Sequence, residues 1–155
     1  MDQPTHARPG DGDDPDLLDQ PRLPVLGLSL GTLVAIFVGG AVGTLLRYLL
    51  EVHHPIGQGG FPWPTLTVNL TGSLLIGLIL PLTEHVSHRF PFVRPLFVVG
   101  LLGGWTTYST LAVEATLLAK DGHIATCVAY LAATIIGGVA LVIVGHEAGK
   151  RLVPS

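Results

Sequence analysis

Charge is scarce in this sequence. Asp, Glu, Lys and Arg make up 12% of its 155 residues, where a soluble domain carries about 25%. A chain so poor in charge cannot present a water-facing surface on all sides. Cysteine is scarcer still. Cys127 stands alone in an apolar run, which excludes an intrachain disulfide and makes packing its expected role. Basic residues form no cluster, so no face is offered to nucleic acid. The constellations of common enzymes are missing as well. His53, His54, His85, His88, His123 and His146 fall in loops or at helix ends, and none belongs to a His-Glu-x-x-His pair. No phosphate-binding glycine loop occurs, because Gly39-Gly40-Ala41-Val42-Gly43 lies inside an apolar run. An enzyme is not expected.

What is abundant is apolar sequence, at 48% of the chain and a mean hydropathy of +0.58. Residues 1–24 stand apart from it. They hold Asp2, Asp11, Asp13, Asp14, Asp16 and Asp19 and five prolines. Such a composition cannot bury enough surface to fold alone, and no apolar core follows a basic start as in a signal peptide. A disordered acidic cytoplasmic tail is expected there, and it accounts for the net charge of −3. Residues 25–150 carry four apolar runs: Val25–Leu50, Trp63–Leu82, Leu96–Leu118 and Ile124–Gly145. Each has the roughly 20 residues that span a bilayer as a helix. The connections are short, so neighbouring helices run antiparallel and both termini share one face. Small residues recur four apart at Gly27 and Gly31, Gly39 and Gly43, and Ser73 and Gly77, a spacing that lets helix backbones approach closely in lipid.

Orientation follows from Lys and Arg near the helix ends. Arg22, Arg89, Arg94, Lys150 and Arg151 lie on the terminal face, against Lys120, with or without Arg47, on the other. This bias places both termini in the cytoplasm of a multi-pass protein of the cell membrane.

The stretch Gly100–Glu114 conflicts with an apolar span. Gly103-Gly104 is followed by Thr106, Thr107, Tyr108, Ser109 and Thr110. Backbone that opens at membrane depth survives only within protein or beside water. Gly103–Ser109 therefore reads as a break in the third helix; a continuous helix whose hydroxyls bond back to their own carbonyls is the alternative. Three more polar residues lie in the spans. Arg47 either snorkels to the interface or serves the interior. Asn69 either holds a passing anion or bonds a neighbouring helix. Glu114 needs a partner or water.

Three segments in order complete a pattern: Gly39–Tyr48, Thr65–Ser73 and Gly100–Glu114, the last with Gly-Gly-x-Thr-Thr-aromatic-Ser-Thr. The set resembles the CrcB/Fluc fluoride channels over about residues 30–145. The resemblance implies an all-α membrane protein of four transmembrane helices, its third helix broken near Gly103-Gly104. It further implies subunits that pair as an antiparallel dimer with pores along the interface. It assigns Asn69, Tyr108, Ser109, Thr110, Leu111, Tyr130 and Thr134 to the fluoride path, and Arg47 and Glu114 to structural or gating roles. It assigns the backbone carbonyls of Gly103 and Thr106 to a structural sodium ion shared with the second subunit. The function implied is passive fluoride efflux that relieves cytoplasmic fluoride toxicity. One departure stands out. The family usually has two phenylalanines where this chain has Tyr108 and Leu111, and Leu111 has no aromatic edge to offer an anion. That departure, with the orientation bias, keeps open a non-conducting partner in a heterodimer with a related paralogue. A small multidrug-type proton-coupled exporter is the other alternative, but such exporters depend on a carboxylate deep in the first helix, and none lies within Val25–Leu50.

Overall fold

The computed structural model describes residues 29–54, 57, 59–87 and 89–153. The expected acidic tail and the start of the first apolar run, Val25 and Gly27 included, lie outside the described residues. The elements are α1 (Leu30–His53), α2 (Trp63–Val86), a π-helical segment (Pro95–Leu102), α3 (Gly103–Trp105), α4 (Tyr108–Lys120) and α5 (Ile124–Leu152). Read by length and apolarity, they give four candidate membrane spans, with the third running from Pro95 to Lys120 through a bend. The last span extends well past Gly145. Its final turns carry Lys150, whose ammonium pairs with Glu147 at 2.6 Å, and basic groups suit a helix C-terminus.

Proline and glycine punctuate the helices. Pro62 precedes α2 and Pro64 lies in its first turn, where a missing N–H costs nothing. Beyond α4, Gly122 has a φ of +82°. The His123 and Gly122 amides donate back to the Leu118 and Ala119 carbonyls at 2.8 and 3.2 Å. This is a Schellman stop, which favours glycine because its φ is left-handed.

Two glycine-lined crossings hold the bundle. On α1, a Cβ at Gly39 would strike the Leu96 carbonyl, and one at Gly43 the Leu101 carbonyl. The opposing surface is also glycine: Gly100 packs on Gly39, and Gly104 on Gly40. The second crossing joins α2 to α5. There Gly77 meets the Val142 carbonyl, while Gly145 and Gly149 meet the carbonyls of Leu74 and Leu78. Hydrocarbon provides no hydrophobic drive between helices, so this close backbone packing is the main cohesion available. A small apolar core of Leu66, Leu111, Ala115, Leu118, Cys127 and Tyr130 joins α2, α4 and α5. Many large apolar side chains elsewhere face outward, Phe37 being 76% exposed, as expected for surfaces that meet lipid or another subunit.

The break lies inside the Gly103–Ser109 stretch but past the glycine pair. Gly103 is helical, with φ −65° and ψ −34°. The extended residues are Thr106 (φ −74°, ψ 154°) and Thr107 (φ −144°, ψ 125°). Gly104 serves close packing instead. A π-helical segment leads into the break, and nothing in the apolar pattern of Pro95–Leu102 announces it.

Candidate functional site

Asn69 on α2 binds the broken strand as a peptide group would. Its Nδ2 donates to the Thr107 carbonyl at 3.0 Å, and its Oδ1 accepts the Thr107 N–H at 2.8 Å. In a continuous helix the Thr107 N–H would go to the Gly103 carbonyl. Asn69 takes it, so the Gly103 carbonyl is released from the helical ladder. Thr107 also starts the next helix. Its hydroxyl accepts the Thr110 N–H at 3.1 Å and donates to Thr110 Oγ1 at 3.0 Å, with Ser109 Oγ 3.2 Å away. Thr107 is thus an N-cap within a membrane span, satisfying a donor that lipid would leave bare. Upstream, the Thr106 N–H and hydroxyl both donate to the Leu102 carbonyl, at 3.0 and 2.9 Å. The Trp105 indole N–H donates to Thr71 Oγ1 at 3.0 Å. Among the described residues no buried side-chain polar atom lacks a partner.

Arg47 completes the break from α1. Its Nε donates to the Gly104 carbonyl at 3.3 Å, another acceptor stranded ahead of the extended residues. Its Nη1 reaches Glu51 at 3.2 Å, one turn along the same helix. Arg47 therefore faces the interior, not the lipid interface.

Glu114 lies farther along α4 and is tied to two helices. Thr65 on α2 donates to Oε1 at 2.8 Å, and the Tyr130 hydroxyl on α5 donates to Oε2 at 2.6 Å. Thr65 and Tyr130 are fully buried. The Tyr130 ring meets Phe61 edge-on, with centroids 5.7 Å apart. Replacing Tyr130 by Phe keeps that ring and removes only the hydroxyl, leaving one carboxylate oxygen short of a donor. We expect Tyr130→Phe to lose about 1–3 kcal/mol of stability, read as a lower melting temperature in detergent. An unchanged melting curve would show that the contact contributes nothing.

The site residues fall into two groups. Asn69, Ser109, Thr110, Arg47, Gly103 and Thr106 converge on the break, while Glu114 and Tyr130 form the neighbouring knot. Thr134 Oγ1 donates to its own helix, to the Tyr130 carbonyl at 2.9 Å. Tyr108 and Leu111 separate: Tyr108 is 82% exposed, whereas Leu111 is 8% exposed within the apolar core. Leu111 thus packs against this chain's own helices. Thr65 and Thr107 carry the geometry as much as the residues singled out above. Their hydroxyls lie in Thr65–Ser73 and Gly100–Glu114, but sequence alone gave them no partner.

Four apolar spans, the third bent and capped at Thr107, with hydroxyl, amide and carboxylate groups inside them, fit a multi-pass membrane protein, and polar groups so placed suit one that handles ions. The family described as "CrcB-like protein, Camphor Resistance (CrcB)" matches residues 34–146, and the chain belongs to that family. It is 40% identical over 131 residues to a Nocardia farcinica protein named "Fluoride-specific ion channel FluC 2", covering 83% of this chain and 91% of the relative. It is 39% identical over 115 residues to "Fluoride-specific ion channel FluC 1" of Streptomyces coelicolor, covering 74% and 75%. A Rhodospirillum centenum protein named "Fluoride-specific ion channel FluC" is 39% identical over 106 residues, covering 67% and 83%. These are names of ion channels, not enzymes.

Proposed function

We propose that this chain is a subunit of a fluoride-selective channel of the cell membrane, through which fluoride leaves the cytoplasm passively. The observation that carries this reading is its 40% identity to a fluoride-specific channel across most of both chains. The chemistry is compatible with it. Fluoride is small and strongly hydrated, so a path must offer closely spaced donors in place of water. Amide and hydroxyl groups do so without a fixed charge that would trap the ion. Ser109 and Thr110 at the N-terminal end of α4 are such groups, and a helix N-terminus favours an anion.

The finer assembly belongs to the same proposal. Two subunits pair antiparallel, and the exposed ring of Tyr108 lies against the second subunit, at the boundary where fluoride passes. A sodium ion pins the two broken helices. Its fit rests on the Gly103 carbonyl, which Asn69 releases from the helical ladder, and on Thr106, whose extended ψ turns its carbonyl out of that ladder. When bound, sodium would supply a positive centre that holds opened carbonyls together. The residues themselves set the break, cap α4 and hold Glu114. Both termini lie in the cytoplasm.

A second reading is favoured by Leu111. Buried in the core, it presents no ring edge to an anion, so a related paralogue would supply what this chain lacks. Liposomes loaded with fluoride or chloride, with a potassium ionophore present, test both readings. The chain alone is expected to release fluoride far faster than chloride, and less so when a large organic cation replaces sodium during purification. Equal release of both anions would overturn the channel reading, and release needing a proton gradient would favour an exporter. Fluoride release only when a paralogue is added would favour the partner-subunit reading.

A further inference from the structure

The channel reading uses Arg47 but leaves Glu51 without a task. Glu51 lies one turn after Arg47 on α1, and its two oxygens lie 3.2 and 3.4 Å from Arg47 Nη1. The pair is partly buried, with side-chain exposures of 20% and 25%. Surface pairs at this spacing contribute little. Here, however, the arginine also reaches across helices to the Gly104 carbonyl, next to the break. Arg47 is thus held from two sides. Nε and Nη1 are engaged, while Nη2 with its two N–H donors takes no part in these contacts.

We propose that Glu51 is a positioning and charge-compensating residue. It locks the Arg47 guanidinium onto the Gly104 carbonyl and offsets its positive charge, so that a passing anion meets free donors without a strong trap. The proposal rests on the channel reading. An uncompensated arginine beside a narrow anion path would raise occupancy and slow exit, because conduction needs binding weak enough to release the ion. Glu114 is the carboxylate of the third span. It already has two donors of its own in Thr65 and Tyr130, whereas the partner of Glu51 is Arg47. Lys, with a single point charge and no fork, could not bond Gly104 and Glu51 in the same way.

The test uses the full chain in liposomes, with fluoride release followed at graded fluoride concentrations. Glu51→Gln keeps the size and removes the charge. It is expected to lower the half-saturating fluoride concentration by about threefold to tenfold, the scale of one unit charge a few ångströms away in a partly wet site. The maximal rate should fall. The shift should shrink at high ionic strength set by an impermeant salt and should be largely absent in Glu51→Asp. A merely structural role would lower the yield or maximal rate and leave the half-saturating concentration in place. A second readout needs no transport. Arginine-directed phenylglyoxal, followed by peptide mass mapping, should modify Arg47 faster in Glu51→Gln than in the wild type, with Arg89 and Arg94 as internal controls. Faster labelling with no fluoride release by the wild type would sink the channel reading alone. Unchanged Arg47 labelling, an unchanged half-saturating concentration in an assembled variant, or failure of Glu51→Gln to assemble would each overturn the role given to Glu51.

Discussion

Asn69→Asp is expected to reduce fluoride release by about tenfold or more while the channel still assembles. The new side chain keeps the bond that Asn69 Oδ1 makes to the Thr107 N–H at 2.8 Å. It loses the Nδ2 donor and sets a carboxylate oxygen against the Thr107 carbonyl, where the distance is now 3.0 Å. Two acceptors then face one another in a buried site. An unsatisfied buried acceptor costs about 1–3 kcal/mol, and a factor of ten corresponds to about 1.4 kcal/mol. In the channel we propose, the carboxylate also places negative charge beside the anion's path, where repulsion is weakly screened. Asn69→Ala separates the two effects, since it removes both bonds and adds no charge. It should lower the melting temperature further than Asn69→Asp but spare more of the flux of whatever channel assembles. Release rates in liposomes, normalised to monodisperse protein recovered in detergent, measure this. Full release by Asn69→Asp would show that the amide is helix-to-helix glue with no bearing on the ion.

Asn69 also illustrates what sequence can carry. A lone amide in an apolar run must find a partner, so its importance was legible, and two fates were open. In the structure both its donor and its acceptor bond the Thr107 peptide group of the third span. Glu114 followed the same logic: its need for a partner was evident, but the identity of Thr65 as one required the packing of α2 on α4. The four spans were legible because length and apolarity alone decide what crosses a bilayer. The position of the break was legible only to within a turn. Glycine in a helix signals either weak backbone or close approach, and at Gly104 the close approach to Gly40 prevails. Tyr108 and Leu111 stand three apart on α4, where a continuous helix would put them near one face. The exposed Tyr108 is the first residue of α4, directly after the extended Thr107, and that irregularity leaves no periodic trace.

Gly43→Ala is expected to prevent assembly of a conducting channel, and Gly40→Ala to be tolerated. Both changes lie in the middle of α1, and each improves intrinsic helix propensity by up to about 1 kcal/mol, so propensity does not distinguish them. Their surroundings do. A Cβ at Gly43 would overlap the Leu101 carbonyl and lie 2.9 Å from the Trp105 amide nitrogen, both backbone groups that cannot rotate away. A Cβ at Gly40 would meet only the Gly100 carbonyl, at 3.9 Å, an ordinary contact. To admit the methyl at Gly43, α1 must retreat from the third span, and the 3.3 Å bond from Arg47 Nε to the Gly104 carbonyl must open with it. A change one turn from Arg47 would then strand a carbonyl at membrane depth, where no water replaces the lost donor. The damage should appear first as a loss of monodisperse protein in detergent and then as absent fluoride release. Wild-type yield and release in Gly43→Ala would show that α1 can shift without disturbing the break. Equal damage from Gly40→Ala would instead locate the constraint outside this chain, on the surface of Gly40 that only a second subunit could cover.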